Sequence, residues 1–211
     1  MDALIASAGH ESGLRAALER ALDNAQHKNP WAFAYVLGHL PQPSAATIRT
    51  LLAALDHHEP DIRWAVALLL TRLAKTENVV IDLLLELSRC GTANQKRMAV
   101  YCIRDLQLQD EASLEALLAA SRDSEPAIRV AAATSLKTRT NAGPKARKRL
   151  LELFLTDTDV KVCNAAAITL AQLGSPSEEF VAALQVAANS ENAALKKAVS
   201  AALSLLKIDG K

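Results

Sequence analysis

The chain has 211 residues, half of them hydrophobic but only 3% aromatic, and a formal net charge of +1. That length suits one or two ordinary domains, or a single solenoid of about six short repeats. The near-zero charge supplies no global field to draw in nucleic acid or an acidic membrane. Ala and Leu dominate, which favours helix over strand. Cys90, Cys102 and Cys163 are an odd count with no CxxC pair, the pattern of free thiols in a reducing compartment. Met1-Asp2-Ala3-Leu4 lacks a basic leader region, and the hydrophobic run from Trp64 to Leu70 is far too short to span a bilayer. No membrane association is expected, and a cytoplasmic location is.

In chain order, the pattern settles into helix pairs from Glu11 onward. Leu14, Ala17, Leu18, Ala21 and Leu22 recur at helical spacing. After a polar break at Asn24–Asn29, Pro30 stands as a first helical residue, and Trp31–Leu40 reads as the second helix of the pair. Pro41-Gln42-Pro43 ends it and Ser44 can cap the next. The second pair is predicted over Ala45–His57 and Pro60–Lys75. The third spans Glu77–Arg89 and Asn94–Leu106, broken at Cys90-Gly91-Thr92. The fourth spans Glu111–Arg122 and Pro126–Thr138. Asn141-Ala142-Gly143-Pro144 then reads as a loop. The fifth pair spans Lys145–Leu155 and Asp159–Leu173, closed by Gly174. Ser175-Pro176-Ser177-Glu178 opens the sixth, which runs to Ala188 and then over Asn192–Lys207. Nothing alternates with period two over a strand's length, and without a Gly-rich linker one continuous core is expected.

Glu59-Pro60-Asp61-Ile62-Arg63 returns as Glu125-Pro126-Ala127-Ile128-Arg129, 66 residues later and so twice a 33-residue period. Small and aliphatic residues follow both copies: Ala65, Val66, Ala67 and Leu70, then Ala131, Ala132, Ala133 and Leu136. Asp157-Thr158-Asp159-Val160-Lys161-Val162-Cys163 repeats the spacing, with Cys163 where the Arg is expected. This pattern resembles the HEAT repeat, in particular the short bacterial type shared with phycobilin lyase-like proteins. The resemblance covers about residues 11–208. It implies an all-α fold, a right-handed α-solenoid of about six HEAT-like helix pairs in one domain over 1–211. The repeats fall at about 11–42, 43–75, 76–109, 110–142, 143–174 and 175–208. In such arrays an Arg reaches a turn Asp of the adjoining repeat, so Arg63, Arg129, Asp123 and Asp157 are read as a structural ladder.

Signals for chemistry are few. Asp56-His57-His58-Glu59 looks like a metal cluster, but no HExxH is formed and no second repeat supplies a matching pair, so no metal site is expected. HEAT-like di-iron hydroxylases place their His-Glu pairs after the aliphatic-basic pair, whereas His58-Glu59 precedes it and His10-Glu11 lies outside the pattern. Cys102 and Cys163 fall on apolar faces as core residues. No phosphate-cradling Gly loop and no cofactor motif is present. Lys137, Arg139, Lys145, Arg147, Lys148 and Arg149 cluster around the Asn141–Pro144 loop. Within that cluster Arg147, Lys148 and Arg149 are candidate phosphate contacts, weighed against a solvated helix face.

The remaining signal is an asymmetry. Trp31, Phe33, Tyr35, Trp64 and Tyr101 are five of the seven aromatic residues, all in the first half. Trp64 follows Arg63 on the side of its helix away from Ile62, Val66 and Leu70. In HEAT arrays the second helices line a concave surface. Trp64, Leu68, Arg72, Tyr35, Tyr101 and Arg104 are therefore the expected contact set, because Trp, Tyr and Arg dominate interface energetics. The competing reading makes Trp64 a gap-filler in the core. The expected function is a non-catalytic scaffold that binds another protein on its concave face, without cofactor and without specific DNA binding. A phycobilin lyase-like attachment factor is the first alternative. A HEAT-like DNA-binding or DNA-repair module is the second.

Overall fold

The computed structural model describes residues 5–7, 12–24, 28–138, 143–174 and 177–206. Met1–Leu4, His10-Glu11, Arg139, Asn141-Ala142 and Ser175-Pro176, all used in the sequence reading, lie outside the described residues. Among the described residues the chain is all helix with no strand. It divides into two compact units, Met1–Leu106 and Gln107–Lys211. The division falls between the third and fourth predicted helix pairs.

The first unit holds α1 (Ser12–Asp23), α2 (Pro30–Leu37), α3 (Ala45–Ala54), α4 (Pro60–Leu73), α5 (Asn78–Cys90) and α6 (Ala93–Leu106). The second holds α7 (Glu111–Ala120), α8 (Pro126–Ser135), α9 (Gly143–Thr156), α10 (Val160–Gln172), α11 (Glu178–Ala188) and α12 (Ala193–Leu205). Local chemistry starts these helices where the sequence says. Pro30, Pro60 and Pro126 each occupy a first helical position, where the missing N–H is no loss. Ser44 accepts from Thr47 N, Asp110 from Ser113 N, Asp159 from Lys161 N and Val162 N, and Ser177 from Phe180 N. After α10 the chain turns through Gly174 at φ +66°, a left-handed position that costs a glycine nothing.

One boundary differs from expectation. Gly143-Pro144 does not sit in a loop but opens α9, since proline is tolerated in a first helical turn. A short 3-10 turn, Leu136–Thr138, finishes α8.

Packing repeats a simple scheme. Within a pair, first helix packs on second: α1 on α2, α3 on α4, α5 on α6, and likewise α7 on α8, α9 on α10, α11 on α12. Between pairs, second helices pack on one another: α4 on α6 in the first unit, and α8 on α10 and α10 on α12 in the second. The apolar stripe supplies the glue. Leu51, Leu55, Val66, Leu70, Val80 and Leu84 are fully buried in the first unit. Ile128, Leu136, Leu150, Val162 and Leu184 play the same part in the second. Each such side chain contributes about 1.5–3 kcal/mol through burial. Ala131, Ala132 and Ala133 are buried without remainder, so α8 meets its neighbours at close range. Cys102 and Cys163 belong to these cores.

Candidate functional site

On α4 the stripe opposite the core is Asp61, Trp64, Leu68 and Arg72, at spacings of three and four residues. Val66, Leu70 and Leu73 already bury the other side. Trp64 is left 42% exposed and Leu68 64%. The Trp64 indole stacks on the ring of Tyr101 from α6, with centroids 5.2 Å apart and planes 24° apart. The Arg104 guanidinium lies 4.8 Å from the Tyr101 centroid on the same helix. Arg104 Nε also donates to Asp105 Oδ1 at 2.7 Å. Three residues from two second helices thus form one stack. Packing of α4 on α6 holds the two rings in place.

Arg72 joins this face by reaching back to α2, where its Nη2 donates to the carbonyl of Gly38 at 3.2 Å. Glycine also gives this corner its close packing. A Cβ at Gly38 would stand 3.0 Å from side-chain carbons of both Leu51 and Leu69. Tyr35 does not join the stack. Its ring pairs with His39 at 4.7 Å and leans on the first unit's core. The sequence reading missed Arg97, one turn before Tyr101 on α6, whose Nη2 donates to Asn94 Oδ1 at 3.1 Å. The four-residue step back from Tyr101 is the signal that would have found it.

The four residues assigned to a ladder behave differently from one another. Arg129 grips Asp157 with two hydrogen bonds, Nε to Oδ2 at 2.7 Å and Nη2 to Oδ1 at 2.8 Å. Its Nη1 also donates to the carbonyls of Asp123 and Ser124. Burial by itself pushes the Asp157 carboxyl up, but the bonds from Arg129 and from the Asp159 N–H outweigh it and hold the group below its ordinary value. The Asp123 carboxylate folds onto its own turn, accepting from Glu125 N at 2.9 Å. Arg63 corrects the expectation. It donates to the carbonyls of His57 and His58 and closes its own turn. The reason lies in the next pair, whose turn Cys90-Gly91-Thr92 contains no carboxylate.

The candidate phosphate contacts are largely engaged inside the second unit. Arg147 donates to the carbonyls of Leu173 and Gly174, satisfying the end of α10. Arg149 donates to Ser121 Oγ and its carbonyl, and pairs with Glu152. Lys145 bridges to Glu111 and Glu115. Lys148 alone of the proposed three is exposed.

His57, His58 and Glu59 bring ligand atoms within 4.8 Å of one another, the one such group among the described residues. The histidine rings stack at 4.3 Å. His57 Nδ1 accepts from Glu59 N at 3.1 Å, which places the proton of the neutral ring on Nε2 and leaves no lone pair facing out. A metal would have to break that turn to use His57.

Of the thiols, Cys102 is 1% exposed and burial pushes it up to about 12. Cys163 is raised by the same cause. Cys90 is exposed. Ellman's reagent is therefore expected to titrate Cys90 rapidly in the native chain and the other two only after denaturation. Rapid native reaction of Cys102 would contradict this burial.

These features define a HEAT/armadillo-like helical-repeat fold. Residues 81–171 match the family model described as HEAT repeats. No curated protein matches the chain by sequence. Among solved structures, the chain is similar to one in the complex of CpcE and CpcF of phycocyanin lyase from Nostoc sp. PCC7120. There the TM-score is 0.62 at 21% identity, covering 75% of this chain and 99% of that one. It is also similar to a designed armadillo repeat protein in complex with the peptide (KR)4, at TM-score 0.54 and 16% identity, covering 90% and 98%. A computationally designed armadillo repeat protein for modular peptide recognition gives 0.50 at 14% identity, covering 90% and 98%. No described helix is long and apolar enough to cross a membrane.

Proposed function

We propose that this chain is a non-catalytic, cytoplasmic scaffold that binds another protein on the second-helix face of its first unit. The carrying observation is the stack of Trp64, Tyr101 and Arg104. Its helices already bury their apolar sides, so the core has no use for an indole on the outer stripe. A rigid exposed aromatic covers a large area of a partner at small entropic cost. The fold suits such work, since a designed armadillo repeat protein of similar fold binds the peptide (KR)4. A photo-crosslinking residue placed at Leu68 tests the reading. It should capture a partner protein that the same residue at Val79, exposed on the first helix α5, does not. Equal capture at both positions would defeat it.

The likeness to a phycocyanin lyase complex chain motivates a second reading as an attachment factor. The burial of Cys102 and Cys163 weighs against covalent handling by these thiols. The inward bonding of Arg147 and Arg149 likewise weighs against the nucleic-acid reading.

A further inference from the structure

On the same reading of the first unit's face, we infer that its partner presents an extended peptide segment that is apolar and acidic. Two facts about the guanidinium groups carry this. Arg72 bonds to a carbonyl, that of Gly38, and Arg97 to an amide oxygen, that of Asn94. Both acceptors are neutral, and among the described residues neither arginine has a carboxylate partner. In the second unit, by contrast, Arg129, Lys145 and Arg149 are paired with carboxylates, while Arg122 and Arg147 bond to carbonyls. The positive charge of Arg72 and Arg97 is thus left for something that arrives from outside.

The geometry fits a peptide. Trp64, Leu68 and Tyr101 form an apolar centre. Arg97 lies one turn before it on α6, and Arg72 and Arg104 lie one turn beyond it on α4 and α6. Two packed helices with their flanks make a platform about 20 Å across, which about six extended residues would span. Apolar side chains of the segment would cover Trp64 and Leu68 while its carboxylates reach the arginines on either side. Two carboxylates also belong to this face. Asp61 sits in the first turn of α4, where the helix end favours it, and Asp105 is bonded to Arg104. They oppose a ligand charged at every unit, such as single-stranded nucleic acid. A peptide can place its charges selectively.

Calorimetric titration of the whole chain tests this with three probes: an octapeptide alternating glutamate and leucine, one alternating lysine and leucine, and an oligothymidine of equal length. The acidic peptide should bind about tenfold tighter than the basic one at low salt, with the gap closing as salt is raised. Arg97→Gln, which leaves the Arg72–Gly38 bond in place, should shrink the gap, and adding Arg72→Gln should abolish it. Trp64→Ala should weaken both peptides. Equal binding of the two peptides, or preference for lysine, would overturn the charge inference, and if that binding still required Trp64 the protein-binding face would survive. Tighter binding of oligothymidine, or no Trp64-dependent binding of either peptide, would overturn both.

Discussion

Arg129→Ala is expected to lower stability by about 2–3 kcal/mol, read from urea denaturation. The pair it breaks is close to buried, with Arg129 13% and Asp157 6% exposed at the side chain. Removing one partner of such a pair strands the other, and that stranding dominates the loss. Asp157 would keep the Asp159 N–H at 2.9 Å but lose both guanidinium bonds. The carbonyls of Asp123 and Ser124 would lose their donor too, so the turn ahead of α8 loosens with the turn ahead of α10. Double replacement with Asp157→Ala should cost less than the sum of the single changes, because the stranded charge is then gone. The pH dependence follows from the direction of the shift. The folded carboxyl lies below its unfolded value near 4. Its contribution is therefore complete above that value and is lost as pH falls through the folded one. In Arg129→Ala this acid-sensitive part should shrink. Unchanged stability would reduce Arg129 to a surface residue.

Trp64→Ala is expected to change stability by less than about 1 kcal/mol, the loss of one partly exposed aromatic stack. Partner affinity should fall roughly 30-fold or more, as for the central residue of an interface. The two outcomes separate the two readings of this side chain. A core tryptophan would cost about 3–5 kcal/mol on truncation. A thermal melt together with a binding titration on the same variant decides between them.

How far the sequence carried these conclusions differs by element. The helices were legible because their starts are written in local chemistry: proline at Pro30, Pro60 and Pro126, and caps at Ser44, Asp159 and Ser177. Helix periodicity put Trp64 on the side opposite Ile62, Val66 and Leu70 but left open a gap-filling place in the core, and only the fold shows it 42% exposed. Position on a helix says little about the direction of a flexible or tertiary contact. Tyr35 has the right register for the stack, yet its ring goes to His39. Arg63 has the right motif for a ladder, yet the turn that should receive it carries Gly91 in place of an acid. Arg97 was overlooked because its proposed role rests on the neutrality of its acceptor, Asn94, which only the folded contacts reveal. Pro144 carried two meanings, breaker or first-turn residue, and the fold chose the second.

The uneven placement of aromatic residues has an optical consequence. Both tryptophans and both tyrosines precede Gln107, while Phe154 and Phe180 are the aromatics that follow it. Indole emission and the tryptophan and tyrosine bands of near-ultraviolet circular dichroism are thus properties of one half of the chain, and far-ultraviolet ellipticity belongs to both. Within the emitting half, Trp31 leans on the core and Trp64 lies open. Quenching by a small solute in water divides the emission between these two indoles. Trp64 is therefore the more quencher-accessible of the two indoles, and it lies on the face proposed to bind a partner.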